Sequence, residues 1–430
     1  MLQVNYIRQN TPLVKEKLAK KNFSDLALVD KILATDEQVR KLKTETETFQ
    51  ASINAASKEI GMLMGKGEKA AAENKKQEVT GHKLTLQNLQ QQLTDAAQLL
   101  YDELVKLPNL PHESVPAGKT PEDNEVVRAG GIKPILHENA VPHWDLIKQY
   151  DLVDFETGVK LTGSGFPLYK GKGAKLQRAL IQYILDYNTA AGYTEYLPPL
   201  LVNESSAYGT GQLPDKEGQM YHATADNFYL IPTAEVPVTN IYRDEIVKEG
   251  DLPIKMTAYT PCFRREAGSF GSDVRGLNRV HQFDKVEIVQ LVHPDTSYIV
   301  LETMVAHIEK LLQQLQLPYR ILRLCGGDMS FTSALTYDFE VYSAAQKKWL
   351  EVSSVSNFET FQSNRMKIRF KPAASLEKDA ENKTQLVHTL NGSSLALPRI
   401  VACLLENNQT ANGIALPEIL HAYFGATTIH

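Results

Sequence analysis

Arg264 and Glu266 stand two residues apart in the run FRRE, and Phe283 and Glu287 stand four apart in the run HQFDKVE that follows it. On an extended chain, residues separated by an even number point to the same side. The arginine and the first carboxylate then share a face of one strand, the ring and the second carboxylate share a face of the returning strand, and the four are expected to converge on one surface. An arginine, two carboxylates and an aromatic ring together offer partners for a phosphate, an amine and a purine. Gly268, Gly271 and Gly276, set among serine and aspartate, predict a loop between the two runs. The β-branched residues of HQFDKVEIVQLV predict a strand leading away from it. A solvated, charged hairpin and a ligand-binding surface both fit these residues.

The elements that must position them belong to a chain of 430 residues, long enough for two to three domains and a large core. Its 43% hydrophobic and 23% charged residues are ordinary for a soluble protein. No apolar run approaches the roughly 20 residues that span a bilayer, and MLQVNYIRQN lacks the layout of a signal peptide. Cys262, Cys325 and Cys403 are odd in number and form no CxxC pair, which predicts free thiols in a reducing, cytoplasmic setting and no zinc site. A net charge of −5 excludes a generally basic nucleic-acid binder but not a local basic patch. There is no GxxxxGK[ST], and no GxGxxG after a strand, so ATP, if used, is not held by a P-loop or a Rossmann crevice.

Residues from about 26 to 107 contain no proline and are dense in Lys, Glu, Gln, Ala and Leu. Val39, Leu42, Thr46, Phe49, Ile53, Ala56, Ile60 and Leu63 follow a three–four spacing. Leu86, Leu89, Leu93, Ala97, Leu100, Leu104 and Leu107 follow another. Gly61, Gly65 and Gly67 lie between the two series. This predicts an antiparallel coiled-coil hairpin, whose helices of about 38 residues would reach roughly 55 Å. Pro108, Pro111, Pro116 and Pro121 mark a linker over 108–125. From 126 to 430, strands follow one another without βαβ alternation, which predicts an α+β domain: an antiparallel sheet flanked by helices. Ala174 to Ala190, Glu302 to Leu315 and Arg399 to Glu406 read as its helices.

The continuation RGLxRxHQFxKxE after fRxE resembles motif 2 of the class II aminoacyl-tRNA synthetases, and in detail that of the seryl-tRNA synthetase family. Three other segments are similar to that family at matching places. GYTEYLPPLLV resembles motif 1, whose proline, here Pro198 or Pro199, implies a homodimer interface. YLIPTAEVPVTN resembles the family's TxE loop: a Thr233 hydroxyl and a Glu235 carboxylate, one strand face apart, suit an ammonium. LNGSSLALPRIVACLLEN resembles motif 3, with Asn391, Gly392 and Ser393 read as a turn and Arg399 opening a helix toward a triphosphate. Ser394 replaces the usual glycine there. LEVSSVSNFETFQSNRMKIRF is similar to the family's ATP and magnesium strand.

The resemblance implies ATP-dependent ligation of L-serine to serine tRNA through seryl-adenylate, with selenocysteine tRNA a further candidate acceptor. It implies a serine site of Thr233, Ala234, Glu235, Arg264, Glu287, Asn391 and Ser393. It implies an ATP site of Arg264, Arg265, Glu266, Arg279, Val280, Phe283, Glu351, Val352, Ser353, Ser354 and Arg399, with Mg²⁺ at Glu351 and Ser354. Arg264 and Arg399 are its catalytic pair. Residues 1–107 become a tRNA-binding domain whose hairpin takes the variable arm, while the motif 2 loop (Arg265, Arg275, Arg279) takes the acceptor end. The hairpin's charges alone do not show this. Between Asp30 and Lys106 there are 11 Lys and Arg against 12 Asp and Glu, equally suited to an oligomerisation hairpin.

Overall fold

The computed structural model describes residues 1–215, 218–267, 275–373 and 383–430. The loop expected at Gly268 and Gly271 lies outside them. The chain divides into two compact units, Met1–Pro108 and Asn109–His430.

In the first unit two short helices, α1 (Val4–Gln9) and α2 (Thr11–Lys20), precede two long ones, α3 (Ala27–Gly65) and α4 (Lys69–Leu104). The long pair forms because its apolar residues recur on one stripe per helix. Ile53 and Ala56 bury against Val79 and Leu86, flanked by Phe49 and Ile60. Ala72, Val79, Leu86 and Leu100 of α4 are buried at heptad spacing, so the seam begins earlier than the sequence series from Leu86. Ala96, not Ala97, takes the inward place after Leu93; a three-residue and a four-residue step are both possible there, and packing chose the first. Outside the seam the helices carry charge, as in the Lys75 pairs with Glu59 at 3.1 Å and Glu78 at 2.9 Å. Such exposed pairs stabilise little, so apolar burial along the seam holds the hairpin. Gly67, at φ 80°, turns the chain where a side chain would be strained.

The second unit rests on an eight-stranded sheet. Its strands are β1 (Glu125–Gly130), β2 (Thr194–Glu195), β3 (Ile254–Phe263), β4 (Gln282–Val292), β5 (Tyr319–Arg323), β6 (Leu335–Ser343), β7 (Lys348–Asn357) and β8 (His388–Ala396). Across the sheet the order is β1-β5-β6-β7-β8-β4-β3-β2. Every neighbouring pair is antiparallel except β2 with β3. The helices that matter for the site are α5 (His143–Gln149), α6 (Gly171–Ala190), α7 (Glu235–Asn240), α8 (Ser297–Gln314), α9 (Phe361–Met366) and α10 (Leu397–Asn407). Helices α6, α8 and α10 cover one face: Leu176, Leu180, Leu301, Ile308, Ile400 and Leu404 pack with Val286, Ile288, Phe339 and Val352. The period of two along β4 sends Phe283, Lys285 and Glu287 to the opposite face. That face runs on into a second core, where Val289 and Leu291 meet Ala234, Val238 and Met256. Buried helices behind and a polar floor in front are what a rigid site requires. Among the described residues, no helix is long and apolar enough to cross a membrane.

Three local expectations are corrected. Asn391, Gly392 and Ser393 form no turn: they lie in β8, with Ser393 opposite Glu287 and Gly392 opposite Val355. Pairing with strands on both sides overrides the turn preference of Asn-Gly. Strand β3 ends at Phe263, and Glu266 takes a left-handed backbone, φ 49°, so Arg264 and Glu266 do not share a strand face. Thr233 and Glu235 are likewise not on a strand, because Glu235 opens α7. YTEYLPPLLV is split: Thr194–Glu195 joins the large sheet and Leu201–Asn203 a separate one. Pro198 and Pro199, which cannot donate to a ladder, fall between.

Candidate active site

A cavity of about 660 Å³ opens over the polar face of β4, β7 and β8, within the range typical of small-ligand sites. Thr233, Glu235, Arg264, Glu266, Arg279, Val280, Phe283, Glu351, Val352, Ser353, Ser354, Ser393 and Arg399 all line it. Four expected residues do not. Glu287 is buried and meets the cavity through the lining residues Thr233, Lys285 and Ser393. Ala234 turns its methyl into the second core. Arg265 is exposed, with its backbone N–H donating to the Gln219 carbonyl at 2.9 Å. Asn391, opposite Val289 on the same sheet face as Ser393, is absent from the lining, and its Nδ2 meets Glu287.

Glu287 is 1% exposed and is the floor's hub. The Lys285 ammonium sits 2.8 Å from its Oε2. Asn391 Nδ2 donates to Oε1 at 3.1 Å, and the Ser393 and Thr233 hydroxyls donate to Oε2 at 3.3 and 3.4 Å. The two hydroxyl bonds are long, so an incoming hydroxyl can displace either at small cost. Nearby, burial and the like charge of Glu287 push the Glu235 carboxyl up to about 7, opposed by a hydrogen bond from Gln362 and by Lys285 and Arg264. Two carboxylates facing two cations make a floor that is polarised but nearly neutral.

The outer half of the cavity has two arginines. The Arg264 guanidinium lies 5.3 Å from the Phe283 ring centroid, in cation–π range, and its backbone N–H donates to His281 O at 2.9 Å. Arg399, two residues into α10 with Pro398 in the first turn, donates from Nε to Asn278 O at 3.0 Å and from Nη1 to Glu351 O at 2.7 Å. Glu266 pairs with Arg279. Facing Arg399, Glu351 and Ser354 stand on β7. Behind Ser354, burial and the charge of Glu351 drive the Asp338 carboxyl well up, while a hydrogen bond from Ser354 opposes the shift. Among the described residues, Asp338 Oδ1 is buried without a hydrogen-bond partner. This arrangement suits a cation shared with a phosphate. Among the described residues, no group of three or more His, Cys, Asp and Glu is placed to hold a metal by itself.

A second network fixes the stem of the loop between β3 and β4. The buried His143 on α5 accepts the Leu277 N–H at Nε2, 2.9 Å. That bond assigns its proton to Nδ1, which donates to Glu406 Oε1 of α10 at 2.7 Å. Burial works against the Glu406 anion, yet hydrogen bonds from His143 and Ser343 hold its carboxyl below the usual value. Gln346 closes the circuit, donating to Glu406 at 2.8 Å and accepting from Asn278 at 2.9 Å. Asn278 is the residue whose carbonyl receives Arg399. At Gly276, φ 64°, an added Cβ would lie 2.4 Å from His143 Nε2. Gly276→Ala is therefore expected to destabilise the protein by ~1–3 kcal/mol. With the ATP and serine that the resemblance implies as substrates, it should also raise the KM for ATP more than that for serine, because the displaced segment carries Asn278. Thermal melting and the two KM values check this; unchanged values would contradict the coupling.

Sequence reasoning missed Lys285, Gln362 and Asn278. Lys285 was detectable, as it lies between Phe283 and Glu287 on one strand face. Gln362 and Asn278 had no local signal; only the fold brings Asn278 to the cavity and Gln362 to Glu235, which lines it.

The tRNA synthetase class II core domain (G, H, P, S and T) matches residues 220–408, and the seryl-tRNA synthetase N-terminal domain matches residues 1–111. The chain is 51% identical to a serine–tRNA ligase of Salinibacter ruber, over 100% of this chain and 99% of that protein. It is 46% identical to one of Methylacidiphilum infernorum, over 99% of each. Among solved structures, a seryl-tRNA synthetase from Pyrococcus horikoshii complexed with ATP superposes with a TM-score of 0.91 at 32% identity, covering 100% of this chain and 99% of that one. A cytoplasmic serine–tRNA ligase from Naegleria fowleri in complex with AMP gives 0.86 at 25% identity, covering 100% and 98%.

Proposed function

Because the chain belongs to the seryl-tRNA synthetase family, and is a ligase that joins serine to tRNA at the expense of ATP, we propose that its cavity forms seryl-adenylate as follows. Arg264 holds the serine carboxylate and the α-phosphate, so that carboxylate oxygen attacks phosphorus and pyrophosphate departs. Phe283 stacks on adenine and Glu266 accepts from its exocyclic amine. Arg399 holds the γ-phosphate. Glu235 and Thr233 receive the serine ammonium, and Glu287 with Ser393 receives its hydroxyl; Asn391 orients Glu287. Glu351 and Ser354 would hold Mg²⁺ with the triphosphate, and the ion when bound supplies charge neutralisation on the leaving pyrophosphate. The chemistry rests on positioning and electrostatics more than on covalent work by the protein. The observation that carries this reading is the convergence of Arg264, Arg399, Glu235, Glu266 and the Phe283 ring on one cavity, with the buried Glu287 bonded to its lining residues Thr233 and Ser393.

The acylated end is the 3′-terminal ribose of serine tRNA, with the acceptor end met by Arg275 and Arg279 at the loop stem. The α3–α4 hairpin takes the variable arm by shape and backbone contact, with Lys58, Lys66, Lys69 and Lys83 toward its tip. Homodimerisation is supported by the apolar surface beside Pro198 and Pro199, where Leu197 is 87% exposed with Leu200 and Leu201 near it. Three free, buried cysteines fit a reducing cytoplasm.

One assay separates the two halves of this function. Without residues 30–106 the protein should keep serine-dependent ATP–pyrophosphate exchange and lose most charging of serine tRNA. Charging that survives the deletion unchanged would contradict the role of the arm.

A further inference from the structure

Gln362, on α9, is given no role by the chemistry above, yet it is 1% exposed and bonded to Glu235 of the site. Its Nε2 donates to Glu235 Oε1 at 2.6 Å and to the Thr210 carbonyl at 3.1 Å. Its Oε1 accepts from the Thr389 hydroxyl at 2.7 Å, and Thr389 is itself buried on β8. The assignment of the amide follows from its partners. A backbone carbonyl only accepts, so the nitrogen must face Thr210 and Glu235, and Thr389 must supply the proton to the oxygen. All three groups are thereby committed, and the amide cannot flip without leaving buried groups unpaired. The fold spends a buried side chain from one element and a hydroxyl from another to hold a single carboxylate oxygen. Glu235 Oε2 has no hydrogen-bond partner among the described residues, and Glu235 lines the cavity.

We propose that Gln362, oriented by Thr389, is a positioning residue for serine: it clamps one oxygen of Glu235 so that the other is presented to the substrate ammonium. This rests on the reading that Glu235 receives that ammonium. The clamp does two things. It removes the rotamer freedom of Glu235 before substrate arrives, which lowers the ordering cost of binding. It also favours the anion that the ammonium needs, against burial and Glu287. The charged groups facing Glu235 are Glu287, Lys285 and Arg264; none of them touches Gln362, so the amide acts on Glu235 alone.

The test is the serine KM, the ATP KM and the pH profile of kcat/KM for serine, measured by pyrophosphate exchange on full-length protein. Gln362→Met should raise the serine KM by ~10-fold or more, the scale of a lost hydrogen bond to a buried charged group. The ATP KM should stay within about 2-fold on the same scale, and kcat should change less than the serine KM. In the parent, serine binding should strengthen as pH rises through about 7, where Glu235 ionises. Loss of the amide raises that carboxyl further, so the rise should move to higher pH. Thr389→Val should show the same pattern more weakly, and Thr389→Ser, which keeps the hydroxyl, should restore it. If Gln362→Met does not fold, the Thr389→Val and Thr389→Ser pair decides alone. Equal increases in both KM values, or an unmoved pH profile, would mean that Gln362 only packs α9 and would overturn the proposal. Glu235→Gln distinguishes the premise. If it leaves the serine KM unchanged, the reading of Glu235 has failed; if it raises the KM while Gln362→Met does not, only the clamp has failed.

Discussion

Replacing Arg264 by alanine is expected to lower serine-dependent ATP–pyrophosphate exchange by ~1,000-fold or more, at the upper end of what the loss of one electrostatic contact costs. The reason is Coulombic. A carboxylate must approach a phosphate, and two anions meet in a cavity where water screens them poorly. Arg264 lines that cavity with Glu235, Glu351 and Arg399, and lies against Phe283. On the proposed reading it is the guanidinium that touches both reactants. Arg264→Lys should recover little, because an ammonium cannot present a planar fork to two acceptors at once. Arg264 is only half-buried, so the variant should melt close to the parent. That separates lost chemistry from lost fold. Exchange within ~10-fold of the parent, a loss of only about 1.4 kcal/mol, would remove Arg264 from the reaction.

What the sequence disclosed about this site depended on how local each signal was. The hairpin of α3 and α4 was legible because a coiled coil is written in one repeated spacing, and little outside that repeat disturbs it. The strand of Phe283, Lys285 and Glu287 was legible for the same reason. The failures share a cause as well. Asn391-Gly392-Ser393 carries a turn's residues, but β8 lies inside the sheet, and two neighbours fix its backbone as a strand. Glu266 reaches the cavity from a left-handed residue just past the end of β3, and a period-two argument does not extend there. Gln362 and Asn278 were invisible because each gains its role from partners more than a hundred residues away: Glu235 for one and Arg399 for the other. Most of the residues that the resemblance singled out line the cavity. The second layer that holds them had to be read from contacts.

Glu287→Ala should be the most damaging single change on the serine side, and it should act in two separable ways. First, serine-dependent exchange should fall by ~100-fold or more. A site built to bond a hydroxyl loses that much when a buried partner disappears, and Ser393 and Thr233 would lose their acceptor too. Second, the fold itself should weaken. Lys285 is buried with Glu287 at 2.8 Å, and stranding its ammonium costs about 3–5 kcal/mol. The double variant Glu287→Ala, Lys285→Met tells the two apart. Removing the orphaned cation should return most of the melting temperature but none of the exchange, because the acceptor for the serine hydroxyl is still missing. Glu287→Gln should fall between, since it keeps the shape and one acceptor while losing the charge that anchors Lys285. Recovery of exchange in the double variant would show that Glu287 serves Lys285 rather than serine, and the assignment of serine choice to this carboxylate would then fail.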